Sequence, residues 1–308
     1  MLQVVVLGAA AGGGFPQWNS RSEACNRARS GDPAARPATQ ASIAVSADGR
    51  EWFLVNAAPD LREQINHTPN LHPKEGLRSS PISGIVLTNG DVDAVAGLLH
   101  LREKTPFVIY AHDRILRVLE DNAIFRVLDP DVVKKVSISV ETAVQLEGPS
   151  NRVTGLEMTA FPVPGKVALY LEDSGHGSNF GTAEGDTIGL EFRAEGRRLI
   201  YIANCAAMSE DVRARCDGAD VVFFDGTLYS DDEMIASGEG TKTGQRMGHM
   251  SMSGQDGSIS AFAGLSVARK VFIHINNTNP ALLSDSAERK SIEESGWEVA
   301  YDGMEIRL

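Results

Sequence analysis

The chain has 308 residues, of which 42% are hydrophobic and 23% are charged, and its formal net charge at pH 7 is −12. This composition is typical of a soluble globular protein, and the length allows one large domain or two small ones. Phosphate binding needs basic patches, and the Lys and Arg residues form no dense run, so nucleic acid is not expected as a partner.

Strands are predicted along the whole chain, wherever apolar runs rich in β-branched residues recur. They cover residues 2–7, 42–46, 52–56, 82–88, 106–111, 136–140, 154–162, 187–193, 198–203, 220–225 and 270–275. Helices are predicted at 60–65, with Asp60 as the N-cap, at 92–103 and at 113–120. The order is a β-rich first part followed by strands that alternate with helices.

Two long, polar, glycine-rich loops are predicted at residues 19–40 and 172–186. Loops of this length in a compact domain are usually functional. The N-terminal run MLQVVVLGAAAGGG has no basic leader, and no window is apolar for long enough to cross a membrane. The three cysteines are scattered and form no Cys-x-x-Cys pair, which fits a reducing compartment. These features predict a cytoplasmic protein.

Polar side chains that could bind a metal follow several of the predicted strands. Ligands gather at the carboxyl ends of strands in open α/β layers, and a carboxylate there is costly to bury unless it is paired or bound to a cation. His249 lies between two of these strands, on a polar loop. The candidates are Asp91, Asp93, Asp225, His249 and His274.

Structural explanations remain open for each of these residues taken alone. Asp91 or Asp93 could cap the helix that begins near residue 92, and His274 could be a hydrogen-bonded core residue. Their combination at strand ends favours a metal site. The glycine-rich segment 8–14 lacks the G-x-G-x-x-G spacing, and the chain contains neither a P-loop nor a G-x-S-x-G elbow, so nucleotide-binding and serine-hydrolase sites are not expected.

Seven segments carry a resemblance to a known family, and they keep their order along nearly the whole chain. They are GGGFPQWN (12–19), VNAAPDLREQI (55–65), LTNGDVDAVAGLLHLRE (87–103), FPVPGKVALY (161–170), FFDGTLYSDDEM (223–234), MGHMSMSG (247–254) and HINNTNP (274–280). The sequence thereby resembles the protein B family of pyrroloquinoline quinone (PQQ) biosynthesis, which has the metallo-β-lactamase fold. The resemblance implies one α+β domain over residues 1–308, an αββα sandwich of two mixed β-sheets flanked by helices.

The sequence departs from the hydrolases of this fold at their first metal position. Their His-x-His-x-Asp-His motif falls on Asn89, Asp91, Asp93 and Ala94, so that its aspartate alone is kept, and no histidine occurs near Pro164. A two-metal hydrolytic site is therefore not expected.

The later motif positions of the family are kept, as a bridging aspartate at Asp225 and a last histidine at His274. The resemblance implies one divalent metal held by these two residues and Asp93, with Asp91 as a fourth ligand or a nearby base. Oxygen-rich, mixed O/N coordination suits Fe(II) and O2 chemistry, and zinc is the alternative ion. His249 is predicted to be a ligand or proton donor.

The resemblance implies an enzyme of PQQ biosynthesis, namely an iron- and O2-dependent hydroxylase of the tyrosine ring in a precursor derived from glutamate and tyrosine. Asn89 and Ser251 would orient the substrate or oxygen, and Arg21, Arg62 or Arg102 would supply cations for this diamino acid. The alternatives are a non-enzymatic carrier that helps PQQ or its precursor to reach the periplasm and a metal-dependent hydrolase. As an oligomeric state of this chain, we consider a homodimer.

A second departure concerns the segment after GGGFPQWN. Relatives often have several closely spaced cysteines there, which look like a structural zinc site, and this chain has Cys25 alone. Because a thiolate zinc site needs about four ligands, we predict that this chain lacks it.

Overall fold

The structure is a computed structural model that describes residues 1–165 and 187–308. The predicted loop at 172–186 and the last residues of FPVPGKVALY lie outside the described residues. The strands are β1 Gln3–Gly8, β2 Ser42–Ser46, β3 Trp52–Val55, β4 Ile82–Val86, β5 Phe107–Ala111, β6 Val133–Ser137, β7 Ala143–Glu147, β8 Val153–Pro162, β9 Ile188–Ala194, β10 Arg197–Ile202, β11 Val221–Asp225, β12 Arg269–Ile273, β13 Glu298–Val299 and β14 Glu305–Arg307.

The α-helices are short and lie between these strands. They are α1 Glu23–Arg29, α2 Leu61–His67, α3 Val92–Val95, α4 Asp113–Asp121, α5 Glu210–Cys216, α6 Glu233–Ala236, α7 Gly244–Met247, α8 Ser258–Ala261 and α9 Ala287–Glu294. Within the described ranges, no helix is both long and apolar enough to cross a membrane.

The strands form two mixed sheets of seven strands each, in the orders β14-β1-β2-β3-β4-β5-β6 and β13-β12-β11-β10-β9-β8-β7. In the first sheet β3 to β6 are parallel, and in the second β10 to β13 are parallel. The remaining pairs are antiparallel, among them the predicted hairpin of β2 and β3. The predicted sandwich of two mixed sheets with flanking helices is confirmed.

The core follows from the alternation of side chains along each strand. In β1, Val4 and Val6 belong to a large apolar cluster shared with the second sheet, whereas Val5 and Leu7 belong to a second cluster. That second cluster also contains apolar residues of α2 and α4, such as Leu61. Strands buried on both faces explain why their sequences read as continuous apolar runs.

The structure corrects several predicted elements. Strand β7 was not predicted, and the strand expected at 136–140 lies at Val133–Ser137. The helix expected at 92–103 is α3 followed by a 3-10 turn over Ala96–Leu101. The change from α-helical to 3-10 geometry has a packing reason. Gly97 N donates to Ala57 O at 2.8 Å, and an added Cβ at Gly97 would lie only 2.0 Å from the Ala58 carbonyl oxygen.

Asp60 occupies the N-cap position of α2, but its side chain makes no capping hydrogen bond. Its carboxylate instead accepts from the backbone N and the side-chain Nε2 of Gln40, at 2.9 and 3.0 Å. This aspartate therefore joins α2 to the chain just before β2, and the predicted capping role is wrong.

Candidate metal centre

Asp225 is the last residue of β11, and its side chain has no exposed surface. Its Oδ2 accepts from the backbone N of Cys205 at 2.8 Å. Its Oδ1 accepts from the backbone N of Thr227 at 3.0 Å and from the Thr227 hydroxyl at 2.7 Å. A buried carboxylate is tolerated when several donors compensate for lost hydration, and these bonds fix the orientation of the Asp225 side chain.

His274 directly follows β12, which is parallel to β11 and pairs Ile273 with Asp225. The predicted strand 270–275 therefore ends early, and His274 has a φ of 62°. Such a backbone is uncommon outside glycine and turns the chain out of the sheet. The conformation is held because Ile275 N donates to Ala9 O at 2.9 Å while Ala11 N donates to Ile275 O at 2.8 Å.

His249 follows α7, and the left-handed Gly248 that ends this helix turns the chain back toward β11. The backbone N of Met250 donates to Cys205 O at 2.7 Å, which fixes the loop beside the end of β10. His249 Nδ1 lies 2.7 Å from Asp225 Oδ2. Its ring is stacked on that of His274, with 5.4 Å between centroids and an interplanar angle of 22°.

Asp225, His249 and His274 each place a ligand atom within 4.8 Å of the others, and all three are buried. Asp93 lies in the first turn of α3, which follows β4 of the first sheet. Its Oδ2 is 3.1 Å from His274 Nε2, so it adjoins the cluster. Residues from both sheets thus meet at one edge of the sandwich.

The Asp93–His274 pair shifts the pKa values of both partners. Burial opposes the charged form of Asp93, but the hydrogen bond and charge of His274 outweigh it and hold the pKa of this carboxyl below its usual value. Burial likewise opposes the imidazolium of His274, yet Asp93 raises the pKa of His274 above its usual value. The two groups therefore favour an ion pair.

Thr227 is not among the predicted site residues, although its hydroxyl touches three of them. Besides Asp225 Oδ1, its Oγ1 lies 3.0 Å from His249 Nδ1 and 2.9 Å from His274 Nδ1. The Asp-Gly-Thr order after β11 is its sequence signal, since a hydroxyl two residues after an aspartate can bond back to it. Thr227 orients both imidazoles, and its contact with His274 Nδ1 leaves Nε2 directed to Asp93.

The remaining predicted site residues lie near this cluster but outside it. Asp91 is at the N-cap position of α3 without a side-chain capping bond, and its charge helps to raise the pKa of His274. Asn89 is buried; its Oδ1 accepts from Asp91 N at 2.9 Å and its Nδ2 donates to Asn204 Oδ1 at 3.2 Å. Ser251 donates to Ser253 O at 3.2 Å. The predicted role of Asn89 and Ser251 in orienting substrate or oxygen stays a prediction.

The chemistry of this donor set fits a divalent metal ion. Two carboxylates and two imidazoles converge, and their other polar atoms are held by Thr227 and backbone N–H groups. Partners of this kind orient ligand side chains in metal sites. Mixed nitrogen and oxygen donors suit Zn²⁺ as well as Fe²⁺.

Comparison with known proteins places this geometry in a family. The family model described as beta-lactamase superfamily domain matches residues 51–275. The chain is 56% identical over 306 residues to the coenzyme PQQ synthesis protein B of Gluconacetobacter diazotrophicus, covering 99% of both chains. It is 52% identical over 307 residues to the protein of the same name from Methylorubrum extorquens strain AM1, covering 100% of both.

Solved structures agree with this assignment. The Zn²⁺-bound PqqB from Methylobacterium extorquens superposes with a TM-score of 0.95 at 52% identity, covering 99% of this chain and 100% of that one. A diphosphatase of the PhnP family matches with a TM-score of 0.69 at 21% identity, covering 99% and 96%, which shows a shared fold. Full-length identity above one half shows that this chain belongs to the coenzyme PQQ synthesis protein B family of the β-lactamase superfamily.

Proposed function

We propose that this protein acts in PQQ biosynthesis as a hydroxylase that uses Fe(II) and O2 on the tyrosine ring of a precursor derived from glutamate and tyrosine. The observation that carries the proposal is the meeting of the half-buried Asp93 with the buried Asp225, His249 and His274 in a chain of this family. Two imidazoles and one carboxylate are the typical ligand set of non-haem Fe(II) that reacts with oxygen, and this group of residues contains such a set. Within residues 1–165 and 187–308, Asp225, His249 and His274 form a single group of potential ligands that Asp93 adjoins through His274, which favours one metal over a two-metal hydrolytic clamp.

Asp93, Asp225 and His274 would hold the ion, and bound Fe(II) would supply the redox chemistry that couples O2 to an aromatic ring. His249 would bind the ion or hold a proton beside the substrate. With Nδ1 directed to Asp225 Oδ2, the Nε2 of His249 is the nitrogen available for either role. Hydroxylation leaves one oxygen atom of O2 on the ring and releases the other as water, so it also consumes two protons and two electrons from a reductant.

The test is a single-turnover experiment with the whole chain. Protein loaded anaerobically with Fe(II) receives the cross-linked glutamate–tyrosine diamino acid and ascorbate, and then ¹⁸O2, and products are followed by mass. We expect a gain of one ¹⁸O on the ring. We expect the gain to vanish in Asp93→Ala and in His274→Ala, because each variant removes a ligand.

His67→Ala is the matched control, since His67 is an exposed histidine on α2. Unchanged turnover in both ligand variants would overturn the assignment of the site. Zinc-dependent hydrolysis of a phosphodiester without ring oxidation would favour the hydrolase. Tight binding of PQQ without any turnover would favour the carrier.

A further inference from the structure

A polar cleft of about 700 Å³ opens beside the metal centre. Gly12 lines it, and an added Cβ at Gly12 would lie 3.7 Å from Asp93 Oδ2, so one wall of the cleft adjoins the ligand from the first sheet. Asn276 and Asn277, just after His274, line it from the second sheet. A cavity of this size accommodates a small-molecule ligand.

The loop before α1 presents one cation, Arg21, to this cleft. Its backbone is tied on both sides: Ser20 Oγ accepts from Ser22 N at 3.1 Å, and the Arg21 carbonyl accepts from Asn26 Nδ2 at 3.0 Å. Arg29 adds a bond to Ser20 O at 2.6 Å. Among the residues described, no carboxylate forms an ion pair with the Arg21 guanidinium, so this charge is available to a ligand.

Two carboxylates bring the opposite charge to the cleft, those of Glu23 in α1 and of Glu239. Glu239 follows α6. Its Oε2 accepts from Asn277 Nδ2 at 2.9 Å. That bond fixes the carboxylate beside the loop after His274 and leaves the charge of Glu239 unneutralised by any cation in the described part of the chain. Arg21 and Glu239 thus give the cleft a positive and a negative group near one metal centre.

We propose that this cleft binds the zwitterionic part of an amino-acid-derived substrate, with Arg21 pairing with a carboxylate and Glu239 with an ammonium group. The assignment rests on the proposed function, because it takes the aromatic part of the same ligand to lie toward the metal centre. Arg21 fills this role rather than the other two candidates. Arg62 does not line the cleft, and Arg102 donates to Leu99 O at 3.2 Å next to Glu103.

The chain contains a built-in reporter for this cleft. Trp18 lies between Gln17 and Asn19, which both line the cleft, and it is 84% exposed. The other two tryptophans, Trp52 and Trp297, are 0% and 2% exposed. Acrylamide therefore quenches Trp18 selectively, and a ligand in the cleft should protect it.

The experiment uses the zinc-loaded full chain, which binds the ligand without redox turnover. Calorimetry measures the affinity for the glutamate–tyrosine diamino acid, and acrylamide quenching of Trp18 is followed in parallel. We expect Arg21→Gln to weaken binding at least tenfold and wild-type protein to bind a carboxamide analogue at least tenfold more weakly. The analogue should bind Arg21→Gln and wild type alike.

Arg62→Gln is the matched control, and its affinity should equal that of wild type. Equal affinity of Arg21→Gln and wild type would overturn the inference. With Fe(II) and O2, Arg21→Gln should raise KM and leave kcat near that of wild type. Arg21-dependent binding without hydroxylation would refute the proposed function alone, whereas hydroxylation with an unchanged KM in Arg21→Gln would refute this inference alone.

Discussion

Thr227→Val tests whether one hydroxyl orients the metal ligands. The Oγ1 of Thr227 lies within 2.7 to 3.1 Å of Asp225 Oδ1, both imidazole Nδ1 atoms and the His274 carbonyl, and the residue is 4% exposed. Valine keeps the shape of threonine but cannot form these bonds. A buried hydrogen bond to a charged group contributes about 1.5–3 kcal/mol. Loss of a partner that orients ligands lowers metal affinity about 10- to 100-fold. The free energy of the hydrogen bond and the expected loss of metal affinity therefore agree.

Zinc affinity of the whole chain is measured by competition with a chelator for wild type, Thr227→Val and Thr227→Ser. The serine variant keeps the hydroxyl and should bind zinc within a few-fold of wild type. Denaturant unfolding of the same three proteins gives the change in the free energy of unfolding. Equal zinc affinity of all three proteins would refute the reasoning, and a loss confined to the serine variant would assign the effect to packing of the methyl group.

Three further predictions concern residues outside the metal centre. Burial raises the pKa of Glu233 to about 7 from 4.5, so the folded state keeps a proton that the unfolded chain releases, and stability falls as pH rises between these values. Glu233→Gln should therefore make the free energy of unfolding less dependent on pH, by up to about 3 kcal/mol between pH 5 and 8. Urea titrations at several pH values measure this dependence, and the same dependence in the variant and in wild type would contradict the prediction. Asp302 Oδ2 accepts from the backbone N and the Oγ1 of Thr39, both at 2.7 Å, and its Oδ1 accepts from Ala9 N at 3.1 Å. In Asp302→Asn the amide N–H must face one of these donors, so the free energy of unfolding, measured in denaturant beside a Thr39→Ala variant, should fall by about 1–3 kcal/mol. Cys25 is fully buried in α1, and Cys25→Ala should leave the zinc content by elemental analysis unchanged, whereas loss of one zinc per chain would reveal the thiolate site that we predict to be missing.

Local sequence was sufficient for most strands and for the location of the site. β-Branched apolar runs predict strands because their side chains suit a buried pleated sheet, and the carboxylate that ends β11 is conspicuous after four apolar residues. Strand β7 was not predicted because its side chains alternate in exposure and include charged and polar ones. The α-helix that begins at residue 92 is shorter than predicted because Gly97 packs against the chain at Ala57, and no local sequence pattern predicts this contact.

The sequence by itself determined which chemical groups are available: carboxylates and histidines placed after apolar strands, with the histidines of the hydrolase motif absent. Only the tertiary structure decided which of them meet. His274 and Asp93 are 181 residues apart and come from different sheets, yet they lie in hydrogen-bond contact. Asp91, two residues from Asp93, stays outside that contact, and Thr227 becomes the shared partner of three side chains. The physical reason is that the packing of two sheets sets these distances, whereas spacing along the chain sets only the order of the residues.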